Sequence, residues 1–163
     1  MRIYVGYDTR EDLAYEVCKY SIHRKNKKVE VIPLKLSTMR ELGIYTREVD
    51  KKASTEFTFS RFFVPYLMDY KGWAMFVDCD FLFLSDPAEV FEMANKDYAV
   101  QVVKHDYTPK SKVKMDGQKQ EIYPRKNWSS CVLWNCGHPM NMRLNLQNLN
   151  TESGMWHHRF MWL

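Results

Sequence analysis

Apolar and polar residues follow one another along this chain in a repeated order of strand and helix patterns. Five short apolar runs, rich in β-branched and aromatic residues, have the length of buried strands and cover residues 2–7, 29–36, 73–77, 98–103 and 131–135. Between them, apolar residues recur every three or four positions, which is the spacing of amphipathic helices. Because strands that alternate with helices build layered sheets, we expect an α/β fold with helices on both faces of the sheet.

The first helix is predicted to begin at a capping motif after the first strand. Thr9 and Asp12 have the spacing of a capping box, in which side chains bond the free amides of the first helical turn. The helix then ends in the basic residues 23–28, near its negative pole. Its buried face is predicted to contain Leu13, Ala14, Val17, Cys18, Ser21 and Ile22.

A further helix is predicted from aromatic residues at helical spacing, namely Phe59, Phe62, Phe63, Tyr66, Leu67 and Tyr70. Pro65 lacks an amide hydrogen and predicts a kink in it. Arg61 lies off the aromatic face, so its guanidinium can point toward the end of the strand at 73–77. Two more helices are predicted to begin at prolines: one over 87–95, with Asp86 as its cap, and one over 139–149. Residues 38–42 are predicted to form a short helical turn.

The composition is that of a folded, single-domain protein without a membrane span. The chain has 163 residues, of which 45% are hydrophobic and 15% aromatic, so it can bury a core. No run approaches the roughly 18 apolar residues that a membrane span needs, and we expect a soluble, cytoplasmic protein. The four cysteines, Cys18, Cys79, Cys131 and Cys136, have neither zinc nor redox spacing and are predicted to be reduced and mostly buried.

Most of the positive charge is concentrated in one segment. The formal net charge is +4, and residues 104–126 contain seven Lys or Arg against three acids. Such a segment is either a solvated loop or a surface for an anionic partner. Its aromatic residues are too sparse to stack on successive bases, so we expect no nucleic acid partner.

The clearest chemical signal is the pair Asp78 and Asp80, directly after the strand at 73–77. On an extended backbone, side chains alternate with period 2, so both carboxylates would project the same way, roughly 7 Å apart. Oxygen ligands of this kind suit Mn²⁺ or Mg²⁺, which leave positions open for substrate phosphates. Asp8 also follows a strand, and ligands of α/β sheets bind beyond such strand ends.

Several other chemistries lack their motifs. The chain contains no GxG, GK[ST], GxSxG or HExxH, which excludes the common dinucleotide, P-loop, serine hydrolase and zinc protease signatures. A phosphatase of the haloacid dehalogenase type remains an alternative, because its nucleophile also lies in a DxD after an apolar strand. That strand is normally near the start of the chain, and here Phe81 and Leu82 replace the small residues that usually follow.

Four segments together resemble the GT-A fold glycosyltransferases that use nucleotide sugars, with family 8 and its relatives most similar. They lie in the family's order over roughly residues 2–136 and are Ile3-Tyr4-Val5-Gly6-Tyr7-Asp8, Thr55-Glu56-Phe57-Thr58-Phe59-Ser60-Arg61, Phe76-Val77-Asp78-Cys79-Asp80 and Trp128-Ser129-Ser130-Cys131-Val132-Leu133-Trp134-Asn135. The resemblance implies a Rossmann-like mixed sheet flanked by helices, as one minimal domain over 1–163. It also implies a retaining transfer of sugar, from a uridine diphosphate sugar, to an acceptor that the sequence does not identify.

Roles for particular residues follow from the same resemblance. It implies that Tyr7, Asp8 and Arg10 hold the nucleotide and that Arg61 reaches the nucleotide or diphosphate. Asp78 and Asp80 bind Mn²⁺ or Mg²⁺, with Asp78 also near the ribose. The resemblance also implies that Ser129 and Ser130 lie close to the donor sugar.

The printed sequence departs from the family pattern at its end. Family members continue to a histidine that is a third metal ligand and to a Lys-Pro-Trp segment that covers the diphosphate, and neither motif occurs before Leu163. His158, or else His157, is the candidate substitute for the third ligand. The alternative is a terminal helix that packs Trp156, Phe160 and Trp162 on the sheet and leaves both histidines at the surface. An inactive module that binds nucleotide and metal therefore remains a second hypothesis.

Overall fold

A computed structural model of the chain describes residues 1–48, 50, 53–104 and 124–163. Its described part contains one five-stranded sheet in the order β2-β1-β3-β5-β4. The strands are β1 Arg2–Gly6, β2 Glu30–Leu34, β3 Trp73–Val77, β4 Val100–Val102 and β5 Cys131–Asn135. The five strands lie where the apolar runs predict them, and the predicted α/β class with a mixed sheet is confirmed.

The directions of the strands bring several chain segments to one edge of the sheet. β1 is parallel to β2 and to β3, whereas β5 is antiparallel to both β3 and β4. The carboxyl ends of β1 to β4 therefore share one edge, and the start of β5 lies there too. Val77 is paired with both Val5 and Cys131 at this edge. The segments that follow β1 and β3 and the segment that precedes β5 consequently meet there.

The helices that flank the sheet are short, apart from the first. They are α1 Asp12–Lys25, α2 Leu36–Glu41, α3 Phe57–Ser60, α4 Val64–Leu67, α5 Ala88–Glu92, α6 Leu146–Thr151 and α7 Gly154–His158. In the described part of the chain, three 3₁₀ segments accompany them, at Arg61–Phe63, Trp128–Ser130 and Pro139–Arg143. Asp86 Oδ1 accepts a hydrogen bond from the amide of Ala88 at 2.9 Å, although the N-cap residue of α5 is Pro87 and the helix ends at Glu92, earlier than predicted.

Helix α1 differs from its prediction in both its cap and its buried face. Glu11 is the N-cap residue and makes no side-chain cap bond, so the predicted capping box is wrong. The hydroxyl of Thr9 instead donates to Glu56 Oε1 at 2.5 Å. The predicted face is only partly buried, because Leu13 is 79% exposed. The true face is rotated and contains Tyr15, Cys18, Ser21 and Ile22.

The predicted aromatic helix is divided into α3, a 3₁₀ turn and α4. Pro65 has no amide hydrogen to bond the carbonyl of Arg61, so the regular α-helical ladder is interrupted at this turn. The aromatic side chains are core as predicted, with Phe62 and Phe63 fully buried. The helix predicted over 139–149 is likewise divided, into Pro139–Arg143 and α6.

The C-terminal residues pack an aromatic cluster against the sheet. Trp162 is fully buried and stacks on Trp134 of β5, with ring centroids 6.1 Å apart. Phe160 packs beside Trp162, at 5.1 Å between centroids. The predicted docking of this end on the sheet is therefore confirmed. The predicted surface position is wrong for His157, which is 0% exposed.

His157 is a buried imidazole, and this makes the stability of the fold sensitive to acid. Its Nδ1 donates to the carbonyl of Ser153 at 2.9 Å, and its ring lies 5.0 Å from the Phe62 ring. Nε2 has no hydrogen-bond partner among the described residues. Burial, with a smaller contribution from the charge of Arg47, lowers the pKa of His157 to about 4.

We expect this histidine to oppose folding once the pH falls below its unfolded pKa. His157 takes up a proton near pH 6.5 in the unfolded chain but only near pH 4 in the folded chain. The contribution of neutral His157 to the free energy of unfolding is therefore complete above pH 6.5 and decreases as the pH falls toward 4. The loss amounts to about 3 kcal/mol. Urea unfolding from pH 4 to 8 measures it, with His157→Asn as the non-titrating comparison because Asn can still donate to Ser153. An acid dependence that is identical in both proteins would contradict this assignment.

Two predictions from composition have simple outcomes. The four cysteines are free, and three of them, Cys18, Cys79 and Cys136, are buried. Over the described ranges, no helix is long and apolar enough to cross a membrane. Most of the basic segment at 104–126 falls at 105–123, outside the described residues.

Candidate active site

The two acids of the DxD motif lie in a turn directly after β3. The amide of Phe81 donates to the carbonyl of Asp78 at 3.4 Å, so the chain reverses at Cys79 and Asp80. The extended backbone assumed for this pair is therefore wrong, because strand pairing ends at Val77. The two carboxylates also differ in environment: the Asp78 side chain is 23% exposed, whereas Asp80 lies at the surface.

Arg61 connects this turn to the start of β5. Its Nη1 lies 2.9 Å from Asp78 Oδ1 and donates to the carbonyl of Ser129 at 2.8 Å. Its Nε donates to the carbonyl of Phe57 at 3.1 Å. The guanidinium carbon lies 5.3 Å from the centroid of the Phe57 ring and 5.0 Å from that of Phe76. The predicted direction of Arg61, toward the end of β3, is confirmed.

The charge of Arg61 only partly offsets the cost of burying the Asp78 carboxylate. Burial raises its pKa to about 6, against the opposing charge of Arg61, and the nearby carboxylates of Asp80 and Glu11 raise it further. Although Arg61 Nη1 is close to Oδ1, its hydrogen does not point along the bond, and Oδ1 has no aligned hydrogen bond among the described residues. A buried carboxylate oxygen of this kind favours binding of a further cation.

Ser129 and Ser130, which the family resemblance places near the donor sugar, lie against the same turn. The amide of Asp78 donates to the carbonyl of Ser130 at 3.0 Å, which ties the two segments together. The Ser129 hydroxyl lies 3.0 Å from Nδ1 of His158, so α7 also reaches this site. Arg61, Asp78, Ser129 and His158 thus form one continuous network, although the sequence places them on four separate elements.

The loop after β1 holds Tyr7, Asp8 and Arg10 by internal bonds. Both oxygens of Asp8 are used, since they accept from the amide and guanidinium of Arg10 and from the amide of Glu56. The bonds from Arg10 lower the pKa of Asp8 to about 2, despite its burial. The Tyr7 hydroxyl donates to Asp12 Oδ1 at 2.6 Å. Asp8 thereby orders the loop, and the Arg10 side chain is 63% exposed beside it.

Two acids in this region were missed by sequence reasoning. Glu11 Oε2 accepts a hydrogen bond from the thiol of Cys79 at 3.0 Å and so connects the first loop to the DxD turn. Glu56 accepts from Thr9 and donates its amide to Asp8. Glu56 lies in the family-like segment 55–61, where only Arg61 was given a role, and no motif includes Glu11. The only available signal for Glu11 was its position in the segment after β1, at the edge where strand ends meet.

The residues present fit a hard divalent cation only if the substrate supplies part of its coordination. Within the described ranges, no three His, Cys, Asp or Glu side chains are grouped closely enough to hold a metal ion. Asp78 and Asp80 nevertheless offer carboxylate oxygens, and Mg²⁺ or Mn²⁺ commonly takes one or two carboxylates together with phosphates and water. The role of His158 as a third ligand stays a prediction.

The fold is similar to part of the fold of solved glycosyltransferases. The apo form of the glycosyltransferase GlyE of Streptococcus pneumoniae TIGR4 matches 98% of this chain and 42% of its own, with a TM-score of 0.56 and 16% identity. A second GlyE structure matches 93% of this chain and 36% of its own, with a TM-score of 0.52 and 13% identity. The predicted GT-A-like fold is confirmed, while membership of family 8 stays a prediction.

A relative with much higher sequence similarity comes from a plant. Protein CDI of Arabidopsis thaliana is 55% identical over 163 residues, which cover 99% of this chain and 63% of that protein. The chain thus spans less than two thirds of the length of this relative, whose name specifies no activity. No family model matches the chain.

Proposed function

We propose that this chain contains the donor site of a metal-dependent glycosyltransferase, which transfers a sugar from a nucleoside diphosphate sugar to an acceptor. The observation that carries the proposal is the pair of Arg61 and Asp78, at the edge where the carboxyl ends of β1 to β4 meet. A fold shared with glycosyltransferases supports the same proposal. A uridine diphosphate sugar as donor and retention of configuration come from the family resemblance.

The proposed chemistry requires that negative charge be stabilised on the leaving diphosphate. An acceptor hydroxyl oxygen bonds to the anomeric carbon while the bond from that carbon to the phosphate oxygen breaks. The electron pair leaves on the diphosphate, and the hydroxyl proton passes to that phosphate. Asp78 and Asp80 would hold Mn²⁺ or Mg²⁺, which would supply Lewis acidity to the phosphate oxygens when bound.

Arg61 is suited to bind the same phosphate oxygens. Nε and Nη1 are occupied by Phe57, Ser129 and Asp78, and Nη2 has no hydrogen bond to any described residue. Because protein groups already fix two of its nitrogens, the guanidinium can donate hydrogen bonds from Nη2 to a phosphate without losing further side-chain entropy. Ser129 and Ser130 would line the sugar side of the donor, and Tyr7 and Arg10 the nucleotide side.

A screen of nucleotide sugars with Mn²⁺ tests the proposal. Thermal shift reports binding, and assays for free nucleoside diphosphate and for inorganic phosphate report turnover. Stabilisation together with release of diphosphate supports the glycosyltransferase. Stabilisation without release supports the module that only binds nucleotide and metal, release of inorganic phosphate supports the phosphatase alternative, and no stabilisation by any nucleotide contradicts the donor site.

Asp80→Ala is expected to abolish the stabilisation that Mn²⁺ adds to nucleotide binding. Asp80 is exposed, so its loss should change the free energy of unfolding by no more than about 0.5 kcal/mol. One remaining carboxylate is insufficient to retain a hydrated cation at the turn. The measurement is the thermal shift with nucleotide, with and without Mn²⁺, and Asp97→Ala, at another exposed acid, is the matched control. A Mn²⁺ effect of wild-type size in Asp80→Ala would mean that this carboxylate is not a ligand.

A further inference from the structure

A cavity of ligand size runs along β4, the strand at the sheet edge farthest from β2. Its volume is about 480 Å³, within the range of small-molecule sites. The described lining includes two cationic side chains, those of Lys104 and Arg125, and no acidic side chain. We call this cavity the β4 groove. The remaining described lining residues are Tyr98, Val100, Gln101, Val102, Trp128, Phe160 and Leu163.

The polar groups of the β4 groove differ in how firmly they are held. Nη1 of Arg125 donates to the carbonyls of Arg159 at 2.7 Å and of Phe160 at 3.2 Å, which anchors this guanidinium to the C-terminal segment. Gln101 is bonded to the backbone of Met93 and of Asn95. The ammonium of Lys104, in contrast, makes only a ring contact among the described residues, 5.7 Å from the centroid of Trp128.

One end of the β4 groove adjoins the proposed donor site. Because β4 and β3 are both antiparallel to β5, they run in the same direction, and Lys104 follows β4 at the edge where Asp78 follows β3. Trp128 directly precedes Ser129, whose carbonyl accepts from Arg61. A molecule in the groove would therefore extend away from the diphosphate side of the donor, past Trp128.

We propose that the β4 groove is the acceptor site and that the acceptor is an anionic saccharide, an inference that rests on the proposed glycosyltransferase function. The faces of Trp128 and Tyr98 suit the apolar faces of sugar rings, and Tyr98 is 56% exposed for such contact. Lys104 and Arg125 complement carboxylate or sulfate groups on the same saccharide, and no described lining residue has an acidic side chain.

Isothermal titration of the whole chain with short saccharides tests this assignment. The probes are tetragalacturonate, its methyl ester, a sulfated tetrasaccharide and, as another anionic polymer, the oligonucleotide dT4. We expect tetragalacturonate or the sulfated probe to bind at least 10-fold more tightly than the neutral ester, and the better of the two identifies the anionic group. Equal binding of the neutral ester, binding of none of the saccharides, or tighter binding of dT4 overturns the proposal.

Charge variants locate the binding. Lys104→Gln is expected to weaken binding of the anionic saccharide about 10-fold, the effect of about 1.4 kcal/mol for one charged contact. Lys27→Gln is the matched control and should bind as wild type does, because this exposed lysine lies between α1 and β2, at the sheet edge opposite β4. Equal affinities in the two variants would place the saccharide elsewhere.

The same titrations separate this inference from the proposal on which it rests. Uridine diphosphate with Mn²⁺ is titrated into each protein in parallel. Nucleotide binding without saccharide binding contradicts only the acceptor assignment. The protein could instead bind no nucleotide and still bind the saccharide in a manner that depends on Lys104. That result would contradict both the donor site and the acceptor role, and the β4 groove would then be a lectin-like site.

Discussion

Asp78→Asn is expected to make the metal-free protein more stable at pH 7.5 while abolishing Mn²⁺-dependent nucleotide binding. Burial raises the pKa of Asp78 to about 6, above the 3.8 expected in the unfolded chain, so ionised Asp78 opposes folding. The corresponding gain on removing the charge is up to about 3 kcal/mol. An amide of the same shape avoids this cost but is a poor ligand for a hard cation.

The pH dependence of this gain follows from the direction of the pKa shift. Protonated Asp78 contributes stability that is complete below pH 3.8 and is lost as the pH rises through about 6. Asp78→Asn should therefore exceed the wild type most above pH 6 and approach it near pH 4. Comparing the two proteins at each pH also removes the opposite contribution of His157, which is common to both.

Urea unfolding without metal, from pH 4 to 8, measures this difference. Asp97→Asn, at an exposed carboxylate, is the matched control and should leave the free energy of unfolding within about 0.5 kcal/mol of the wild type. A destabilised Asp78→Asn would show that the ion pair with Arg61 outweighs the burial of the carboxylate. Retained Mn²⁺-dependent binding would contradict the assigned metal role.

Arg61→Met is expected to destabilise the protein by roughly 3–5 kcal/mol, because it leaves a buried carboxylate without its counter-charge. The change also removes the donors to the carbonyls of Ser129 and Phe57, in a side chain that is only 8% exposed. Methionine retains most of the apolar stem, so the loss reports mainly the polar contacts. Nucleotide affinity should fall as well, if Arg61 binds the diphosphate.

A double-mutant cycle with Asp78→Asn separates these contributions. Once Asp78 is uncharged, the removal of Arg61 no longer leaves a buried charge unpaired, so the double variant should be markedly more stable than the sum of the single effects predicts. Urea unfolding at pH 7.5 of the four proteins gives the coupling energy. Additive effects would show that Arg61 stabilises the fold through the two carbonyls alone.

Local sequence patterns were sufficient to predict the positions of the strands but not the bounds and buried faces of the helices. β3 and β5 begin and end at the predicted residues, because a buried strand is a short apolar run with clear turn signals on both sides. The aromatic helix was divided because Pro65 disrupts bonding over a whole turn rather than at one residue. On the face of α1, Cys18, Ser21 and Ile22 are buried as predicted, whereas Leu13 and Val17 are exposed and Tyr15 is buried, because residues of similar hydrophobicity lie on two adjacent stripes and packing selects one.

Several residues of the candidate site were predicted from the sequence, but the hydrogen bonds that join its loops were not. The strand ends placed Asp8 and Asp78 at one sheet edge, and the family resemblance placed Ser129 near the donor sugar. Sequence reasoning missed the bonds of Glu11 to Cys79 and of Glu56 to Thr9, because they join loops that are distant in the sequence. It also treated the DxD as extended, because the turn at Cys79 depends on where β3 loses its pairing with β5.

The sequence by itself determined the α/β class, the strands and the presence of two acids at the exit of a buried strand, since these depend on periodicity over a few residues. Only the tertiary structure decided which groups meet. Arg61 reaches Ser129 across 68 positions, and Ser129 reaches His158 across 29. The tertiary structure also buried His157 and left His158 at the site, although the two are adjacent, because α7 turns one imidazole into the core and the other toward Ser129.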